Sequence, residues 1–443
     1  MSAPARRTFL DLNGYQWTVL LAAWLGWGFD AFDALLFNYV APNCVPTLLH
    51  LEIGSPAARA ATLHYTGVIT SLLLLGWAAG GILFGRMCDR VGRTRTLMLT
   101  MLAYAVGTAL CAVATSIPML ILFRIVASLG IGGEWAAGAA MVAEVMPEKR
   151  RVEAGAILYT AAPMGLFLAT YVTYMIQGVL LPGNPAVAWR YVFAFGLVPA
   201  AVALMVRTFV KEPERWRKVA ADARPRISEL FSPAMRHVTL SGLGMALIAL
   251  IMWWSCNAFI GVVATGLANQ AAAAMFIEHT AAQHMIQEWI RLATNLFNLG
   301  GLLGTLLAVP LAKHAGRRVM FATFFVLSAL AIMGTFGLNL SPHTRLYGYF
   351  FIGLSVFGVF GSFTYYLPEL FPTRLRATGS GFCYNAGRVV AALGPLLVGS
   401  VAALGKDALG AALHALFWVG AVPLAGLLLM PWVIETRGRE LSD

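Results

Sequence analysis

The sequence predicts an all-α membrane protein with twelve transmembrane helices in two pseudo-symmetric six-helix bundles. Three observations support this fold class: the composition, the number of apolar runs, and a repeat at half the chain length. Of the 443 residues, 59% are hydrophobic and only 12% are charged, about half the charged share of a typical soluble domain. That composition excludes a water-soluble globular enzyme and an intrinsically disordered chain.

Twelve apolar runs divide the chain. Each is long enough to cross a bilayer as a helix, which takes about 20 residues because every backbone polar group must be satisfied inside the span. The runs cover residues 16–41, 63–85, 95–114, 118–144, 153–178, 189–209, 238–266, 289–312, 318–339, 345–367, 377–403 and 410–433. An even number of spans predicts that both termini lie on one side of the membrane.

Lysine and arginine are distributed unequally between the two predicted sides. Of the 31, 24 lie in the termini and in the loops on the same side, five lie on the opposite side, and two lie within spans. The positive-inside rule therefore predicts cytoplasmic termini, in what we expect to be a bacterial inner membrane. The net charge of +11 reflects this topology, so nucleic-acid binding is not expected.

The two halves of the chain repeat each other. The segment AEVMPEKRRVEAGA after span 4 aligns with LPELFPTRLRATGSG after span 10 at a shift of 225 residues, which pairs Glu144 with Glu369 and Arg151 with Arg376. Such a repeat implies two six-helix bundles. The predicted domains are an N-terminal bundle at 1–209, a basic cytoplasmic linker at 210–236 and a C-terminal bundle at 237–443.

The segment GRMCDRVGRTRTLM lies between spans 2 and 3 on the predicted cytoplasmic side. Its glycines permit a tight turn that lets helices approach, Asp89 can face the amino end of a helix, and its arginines can bridge the halves. This pattern predicts a gate latch rather than a substrate site. The gating candidates here and in the repeated segments are Gly85, Asp89, Arg90, Gly92, Arg93, Glu144, Arg151, Glu369, Arg374 and Arg376.

This segment resembles the loop 2/3 signature of the major facilitator superfamily, roughly G-x-x-x-D-R-x-G-R. The resemblance covers almost the whole chain: LFRIVASLGIGGEW resembles the span 4 motif, KEPERW the segment after span 6 in sugar-porter-like members, and PELFPTRLRATG the segment after span 10. It implies a secondary transporter. In the second loop copy, KHAGRR places Lys313 where the family usually has Asp, so we expect the latch of that half to be weaker or differently paired.

Span 1 carries Asp30 and Asp33, one helical turn apart on one face. A carboxylate at membrane depth costs roughly 2.5 to 3.5 kcal/mol, so the pair is expected to hold a proton or face a cation. The stretch from Asp30 to Asp33 is similar to the D-G-[FY]-D of aromatic acid:proton symporters, with Ala in place of Gly. Glu134, in GGEW, resembles the GGE[YW] of metabolite:proton symporters and is expected to line the cavity. These three acids are the proton-coupling candidates.

Arg124 in span 4 resembles the arginine that neighbours the span 1 acid in sugar and metabolite symporters. Asp30 or Asp33 is therefore its expected partner, and protonation of that acid would release the arginine as a local charge switch. A purely structural ion pair is the alternative. Arg124 cannot pair directly with Glu134, because ten residues of helix separate them by about 15 Å.

Arg388 lies in span 11, and the spans of the second half contain no acid to neutralise it. A guanidinium suits a substrate carboxylate through bidentate hydrogen bonds, so an anionic substrate is favoured. Pairing with Glu134 or Glu369 is the alternative. Besides Arg124 and Arg388, the predicted substrate-binding residues are Trp253, Asn298, Tyr365 and Asn385.

These features predict a proton-coupled symporter that imports a small organic carboxylate, aromatic or sialic-acid-like, by alternating access. A sugar or polyol symporter and an organic cation transporter are the alternatives. Span 5 lacks the G-x-x-x-G-P-x-x-G-G pattern of antiporters, and no HExxH, GxSxG or Walker motif indicates an enzyme. No cofactor or metal is expected. The expected partners are the substrate, protons and the lipid bilayer, and the chain is expected to act as a monomer.

Overall fold

The computed structural model describes residues 12–91, 93–147, 150–198, 201, 205, 226–372, 375–405 and 407–437. Over these residues the protein is helical and contains no strand. The predicted linker lies outside the described residues from 210 to 225. The division into domains at 209 and 237 therefore stays a prediction.

The helices of the first predicted half follow the apolar runs. They are α1 (Gly14–Leu48), α2 (Pro56–Val91), α3 (Arg93–Cys111), α4 (Ile117–Val145), α5 (Arg151–Tyr159), α6 (Ala161–Thr173) and α7 (Pro185–Phe195). A π-helical turn at Tyr174–Leu180 extends α6. α5, α6 and this turn together form the fifth predicted span.

The second half continues the pattern after a short 3₁₀ turn at Ile227–Phe231. Its helices are α8 (Arg236–Ala258), α9 (Ile260–Ala274), α10 (His279–His314), α11 (Arg317–Gly337), α12 (Pro342–Leu370), α13 (Arg376–Ala391), α14 (Leu393–Leu404), α15 (Ala408–Val419) and α16 (Ala421–Leu428). A final 3₁₀ turn covers Met430–Trp432. Three of the predicted spans of this half, the seventh, eleventh and twelfth, are thus each built from two helices.

Proline accounts for three of the four helix breaks within spans. A proline removes one backbone donor, and its ring clashes with the carbonyl four residues earlier. α5 ends at Tyr159, four residues before Pro163, and α15 ends at Val419, four residues before Pro423. α13 likewise ends at Ala391, four residues before Pro395. The break between α8 and α9, at Phe259, contains no proline.

Ten of the twelve predicted spans are continuous helices or joined helix pairs that are long and apolar enough to cross a membrane, within the described residues. The third span corresponds to a shorter apolar helix, Arg95–Cys111. The sixth span begins with α7, beyond which the described residues are interrupted from 199. The predicted spans and the helices thus agree in order and position.

Helices of the two predicted halves touch at both ends of the bundle. At one end α2 packs closely on α14, where a Cβ atom added to Gly67 would lie 2.6 Å from the carbonyl oxygen of Pro395. The Ser71 hydroxyl donates to the carbonyl of Ala392 at 2.6 Å in the same contact. At the other end Gly155 of α5 faces Thr364 of α12.

Candidate substrate and proton site

Asp33 and Arg124 form an ion pair in the first half. Asp33 on α1 and Arg124 on α4 are each 1% exposed, and Arg124 Nη1 lies 3.7 Å from Asp33 Oδ1. The same carboxylate oxygen accepts a short hydrogen bond from the hydroxyl of Thr108 on α3. Asp33 Oδ2 has no hydrogen-bond partner within the described part of the chain. Of the two predicted partners, Asp33 is therefore the one that pairs with Arg124.

Arg124 is also held by the backbone of α1. Its guanidinium donates to the carbonyl oxygen of Asp33 at 3.3 Å and to that of Ala34 at 2.8 Å. These carbonyl contacts do not depend on the charge of the Asp33 carboxylate. Protonation of Asp33 would therefore remove the charge pair without detaching Arg124 from α1, which modifies the expected release of the arginine.

Arg388 lies on α13 and is 2% exposed. Its guanidinium carbon lies 4.1 Å from the ring centroid of Trp77 on α2 and 4.2 Å from that of Tyr384. Its Nη1 donates to Asn385 Oδ1 at 2.8 Å. Two aromatic rings, one from each predicted half, thus hold the guanidinium in place, and its Nε has no hydrogen-bond partner among the described atoms.

Asp30 is the acid associated with Arg388. It is 1% exposed, and its carboxylate is close enough to Arg388 to interact with it electrostatically. The alternative partners of Arg388 lie elsewhere: Glu369 binds Arg317 at 2.8 Å, and Glu134 lies 3.5 Å from the Thr100 hydroxyl.

Glu134 lies at the contact between α3 and α4 and is 1% exposed. Its Oε2 accepts from Thr100 Oγ1, and the neighbouring Gly133 faces Phe84 and Thr100. Its role in proton coupling stays a prediction.

Trp253 on α8 is the centre of an aromatic cluster. Its ring centroid lies 4.8 Å from that of Trp254, 5.6 Å from that of Phe357 and 5.6 Å from that of Phe360. Trp254 in turn lies 5.7 Å from Trp77, so the cluster reaches the Arg388 site without interruption. The indole Nε1 of Trp253 has no hydrogen-bond partner among the described atoms. The arrangement offers apolar ring faces beside a buried cation.

Asn298 on α10 faces α1 across the halves. It is fully buried, and neither amide atom has a hydrogen-bond partner within the described structure. The hydroxyl of Tyr39 lies next to it. A buried polar group without a partner costs about 1–3 kcal/mol, so these atoms are expected to meet water or a ligand.

Tyr365 occupies a different place from the other predicted substrate residues. The Arg317 guanidinium lies over its ring at 5.5 Å, beside the Arg317–Glu369 ion pair. It is about one and a half helical turns beyond Phe360. Its proposed contact with substrate therefore has less support from the geometry than that of Asn385, which directly binds Arg388.

The gating candidates fall mostly outside the described residues. Gly92 and Arg374 are not among the described residues. Only the backbone is described for Gly85, Asp89, Arg90, Arg93, Glu144, Arg151 and Arg376. Glu369 is described: it accepts from Arg317 at 2.8 and 3.2 Å and from Thr436 at 2.6 Å. Lys313 pairs with Glu153 of the other half, with 2.6 Å between Nζ and Oε1. Lys313 is thus paired with an acid of the other predicted half, and the expectation of a weaker or differently paired latch stays a prediction.

Sequence reasoning missed three residues of the site. Thr108 binds Asp33, Trp77 stacks on Arg388, and Tyr39 faces Asn298. A threonine, a tryptophan and a tyrosine are ordinary in apolar spans, so no local pattern distinguishes them. Only the packing of α1, α2 and α3 brings them to the ionisable residues.

The chain is similar to transporters over most of its length. It is 29% identical to a probable 4-methylmuconolactone transporter of Cupriavidus pinatubonensis, covering 95% of this chain and 91% of that protein. It is 25% identical to a sialic acid transporter of Escherichia coli, covering 88% of each. The crystal structure of a D-xylose-proton symporter superposes with a TM-score of 0.72 at 19% identity, covering 97% of this chain and 100% of that one.

The structural similarity confirms the predicted fold class, twelve helices in the major facilitator arrangement, and the family is one of transporters rather than enzymes. The family model described as Major Facilitator Superfamily matches residues 23–279, more than half of the chain. The chain therefore belongs to the Major Facilitator Superfamily.

Proposed function

We propose that the protein is a proton-coupled symporter that imports a small organic anion by alternating access. The observation that carries this proposal is the Arg388 guanidinium, which is buried, held between two aromatic rings, and left with one donor unpartnered among the described atoms. A carboxylate is the ligand that a guanidinium binds most strongly. The ring faces around it suit a planar or apolar substrate body.

The relatives support the anion assignment. One is named for 4-methylmuconolactone and another for sialic acid. Within this family a substrate that carries a carboxylate would account for an arginine in span 11, where a neutral substrate would leave that charge buried without a function.

We assign the coupled proton to Asp30, which is buried and lies within electrostatic range of Arg388. An ionised Asp30 neutralises the arginine and repels an incoming anion. A proton on Asp30 removes both effects, so that Arg388 becomes available to the substrate carboxylate. Proton and anion then bind together, which is the requirement for symport.

A sugar or polyol symporter is the second candidate. Asn298 favours it, because both of its amide atoms are buried and lack described partners, and amides suit hydroxyl groups. An organic cation is less favoured, because Asp33 is already engaged by Arg124 and Thr108. The proposed setting is the bacterial inner membrane, with both termini in the cytoplasm and a single chain as the working unit.

Uptake into proteoliposomes tests the proposal. We expect an imposed acidic exterior to drive accumulation of radiolabelled 4-hydroxybenzoate, and Arg388→Gln to lower affinity for it about tenfold to hundredfold. Arg291→Gln, a partly exposed arginine paired with Glu288, is the control. Accumulation of D-xylose but not of 4-hydroxybenzoate would reject the anion assignment, and uptake that ignores the pH gradient would reject proton coupling.

A further inference from the structure

A cavity lies at the end of the bundle where α1 ends and α2 begins. Asn43 and Arg59 line it from the first half, and Val262, Asn269 and Gln283 line it from the second. Asn43 is ten residues beyond Asp33, or about 15 Å along the helix. The cavity is therefore separate from the ionisable site.

Arg59 is the only charged side chain among the residues that line this cavity. Its Nε and Nη2 donate to the carbonyl oxygen of Gly54 at 3.0 and 2.9 Å. Gly54 has a φ of +89°, a conformation that glycine adopts without steric cost. These two hydrogen bonds hold the guanidinium at the rim of the cavity.

Asn269 provides a second donor, from α9 on the opposite wall. Its Nδ2 is buried and has no hydrogen-bond partner among the described atoms. Between Arg59 and Asn269 the wall is formed by aliphatic side chains, including Leu63, Val262 and Ala412. A cation and an amide donor at the ends of an apolar wall suit a ligand with one anionic group and an apolar body.

A row of polar side chains leads from this cavity toward the centre. Asn43 Nδ2 donates to Gln177 Oε1 at 2.6 Å. Beyond it, Gln177 Nε2 and Thr173 Oγ1 are buried and lack described partners, and the Tyr39 hydroxyl lies next to Asn298. Gln177 lies on the π-helical turn, a departure from the α-helix that often occurs at functional sites.

We propose that this cavity is an outer binding site, at which an organic anion is held by Arg59 and Asn269 before it moves to Arg388. This proposal rests on the proposed function only for the chemical class of the ligand, an organic anion. Because the two walls come from different halves, an anion bound here also joins the halves at this end. The transporter then holds two anions, one at each arginine.

Binding stoichiometry tests the outer site. Equilibrium dialysis of radiolabelled 4-hydroxybenzoate against the purified full-length protein is expected to saturate at two molecules per chain. Arg59→Gln and Arg388→Gln are each expected to reduce this to one, and Arg59→Lys to retain two with weaker binding. Arg291→Gln is the matched control, because it also removes a partly exposed arginine and is expected to leave two sites.

The outcomes separate the two proposals. Saturation at one molecule, lost in Arg388→Gln and unchanged in Arg59→Gln, overturns the outer site alone. Saturation at one molecule that depends on Arg59 and not on Arg388 overturns the central assignment alone. Thermal unfolding of each variant confirms that a lost site is not a lost fold. Transport kinetics provide a second measurement. Arg59→Gln is expected to raise KM about tenfold with kcat unchanged, because it removes a hydrogen bond to a charged group outside the central site.

Discussion

At the scale of single residues, the two acids of α1 are distinguished by their surroundings. Asp33 is held by Arg124 and Thr108, whereas Asp30 lies within electrostatic range of Arg388. Removal of one partner from a buried charge pair usually costs about 3–5 kcal/mol, because the other charge is left uncompensated. Neutralising Asp30 and neutralising Asp33 are therefore expected to have different effects on transport and stability.

Asp30→Asn imitates a permanently protonated acid beside Arg388. We expect the variant to bind 4-hydroxybenzoate with an affinity that no longer depends on pH, and to catalyse exchange but not accumulation against a gradient. Parallel measurements of binding from pH 5 to pH 8 and of gradient-driven uptake would show this. Wild-type accumulation by the variant would mean that Asp30 does not carry the coupled proton.

Asp33→Asn leaves Arg124 attached to the carbonyls of α1 but without its counter-charge. We expect loss of accumulation together with a lower unfolding temperature, since the arginine charge is then buried alone. Asp33→Glu, which keeps the charge, is the matched variant and should recover part of the stability. An Asp33→Asn protein as stable as wild type would argue against the ion pair as a structural element.

At the scale of helices, close packing and end caps govern stability. Proline determines where α5, α13 and α15 end, and glycine determines how closely α2 and α14 approach. Small residues allow such contacts between membrane helices, where no hydrophobic effect drives association. Substitutions at these prolines and glycines are expected to act by shifting the helices, and not by changing a group that binds substrate or a proton.

Gly67→Ala places a methyl group 2.6 Å from the carbonyl oxygen of Pro395 and so forces α2 away from α14. We expect that end of the bundle to open and transport to fall by more than tenfold, while expression is retained. Gly334→Ala is the control, because its nearest neighbouring atom would be 3.9 Å away. Uptake rates of the two variants in one vesicle preparation make the comparison, and equal rates would contradict a tight contact at Gly67.

Glu435 caps the amino end of α11. Its carboxylate accepts from the backbone N–H of Arg317 at 2.9 Å and of Arg318 at 3.0 Å. Partial burial would raise the pKa of Glu435, but hydrogen bonds from the backbone of Arg317, Arg318 and Arg437 outweigh it and lower the pKa. A lowered pKa in the folded state means that ionised Glu435 stabilises the fold above its ordinary pKa, and that this contribution is lost as the pH falls through the lowered value.

Glu435→Gln is therefore expected to lower stability at neutral pH by about 0.5–1 kcal/mol, the usual effect of a charge at a helix end. The difference should shrink as the pH falls through the lowered pKa of Glu435, because the carboxyl group is then protonated in the wild type as well. Thermal unfolding of both proteins across this range would show it. A difference that stays constant with pH would mean that the charge of Glu435 does not contribute.

At the scale of the whole molecule, Lys313 and Glu153 join the two halves at the predicted cytoplasmic end. The Lys313 side chain is 40% exposed and that of Glu153 is 25% exposed, so the pair contributes about 0.2–1 kcal/mol. Such an energy is small for folding but enough to change the balance between two transport conformations. We propose that this pair is the gate latch of the second loop copy.

A double-mutant cycle tests the latch. Lys313→Glu and Glu153→Lys alone each place like charges together and should open the cytoplasmic end, changing uptake rates about twofold to fivefold. The double swap should restore the wild-type rate. Failure of the swap to restore it, with both proteins folded, would show that the contact does not influence the conformational equilibrium.

The sequence by itself determined the spans, their order and the family, because hydropathy and charge bias act locally along the chain. It also identified Asp30, Asp33, Arg124 and Arg388, because an ionisable side chain within an apolar run is visible without any structure. The Lys313 departure was equally visible, although its partner was not. These conclusions required no knowledge of how the helices are rotated.

The tertiary structure decided which groups meet. The pairing of Asp33 with Arg124, the stacking of Arg388 on Trp77 and the contact of Lys313 with Glu153 join residues 91, 311 and 160 positions apart. Contacts of this kind depend on the rotation, tilt and spacing of helices, which side-chain packing across the whole bundle sets. Residue type reveals that a buried charge needs a partner, but only the packed bundle determines which partner it finds.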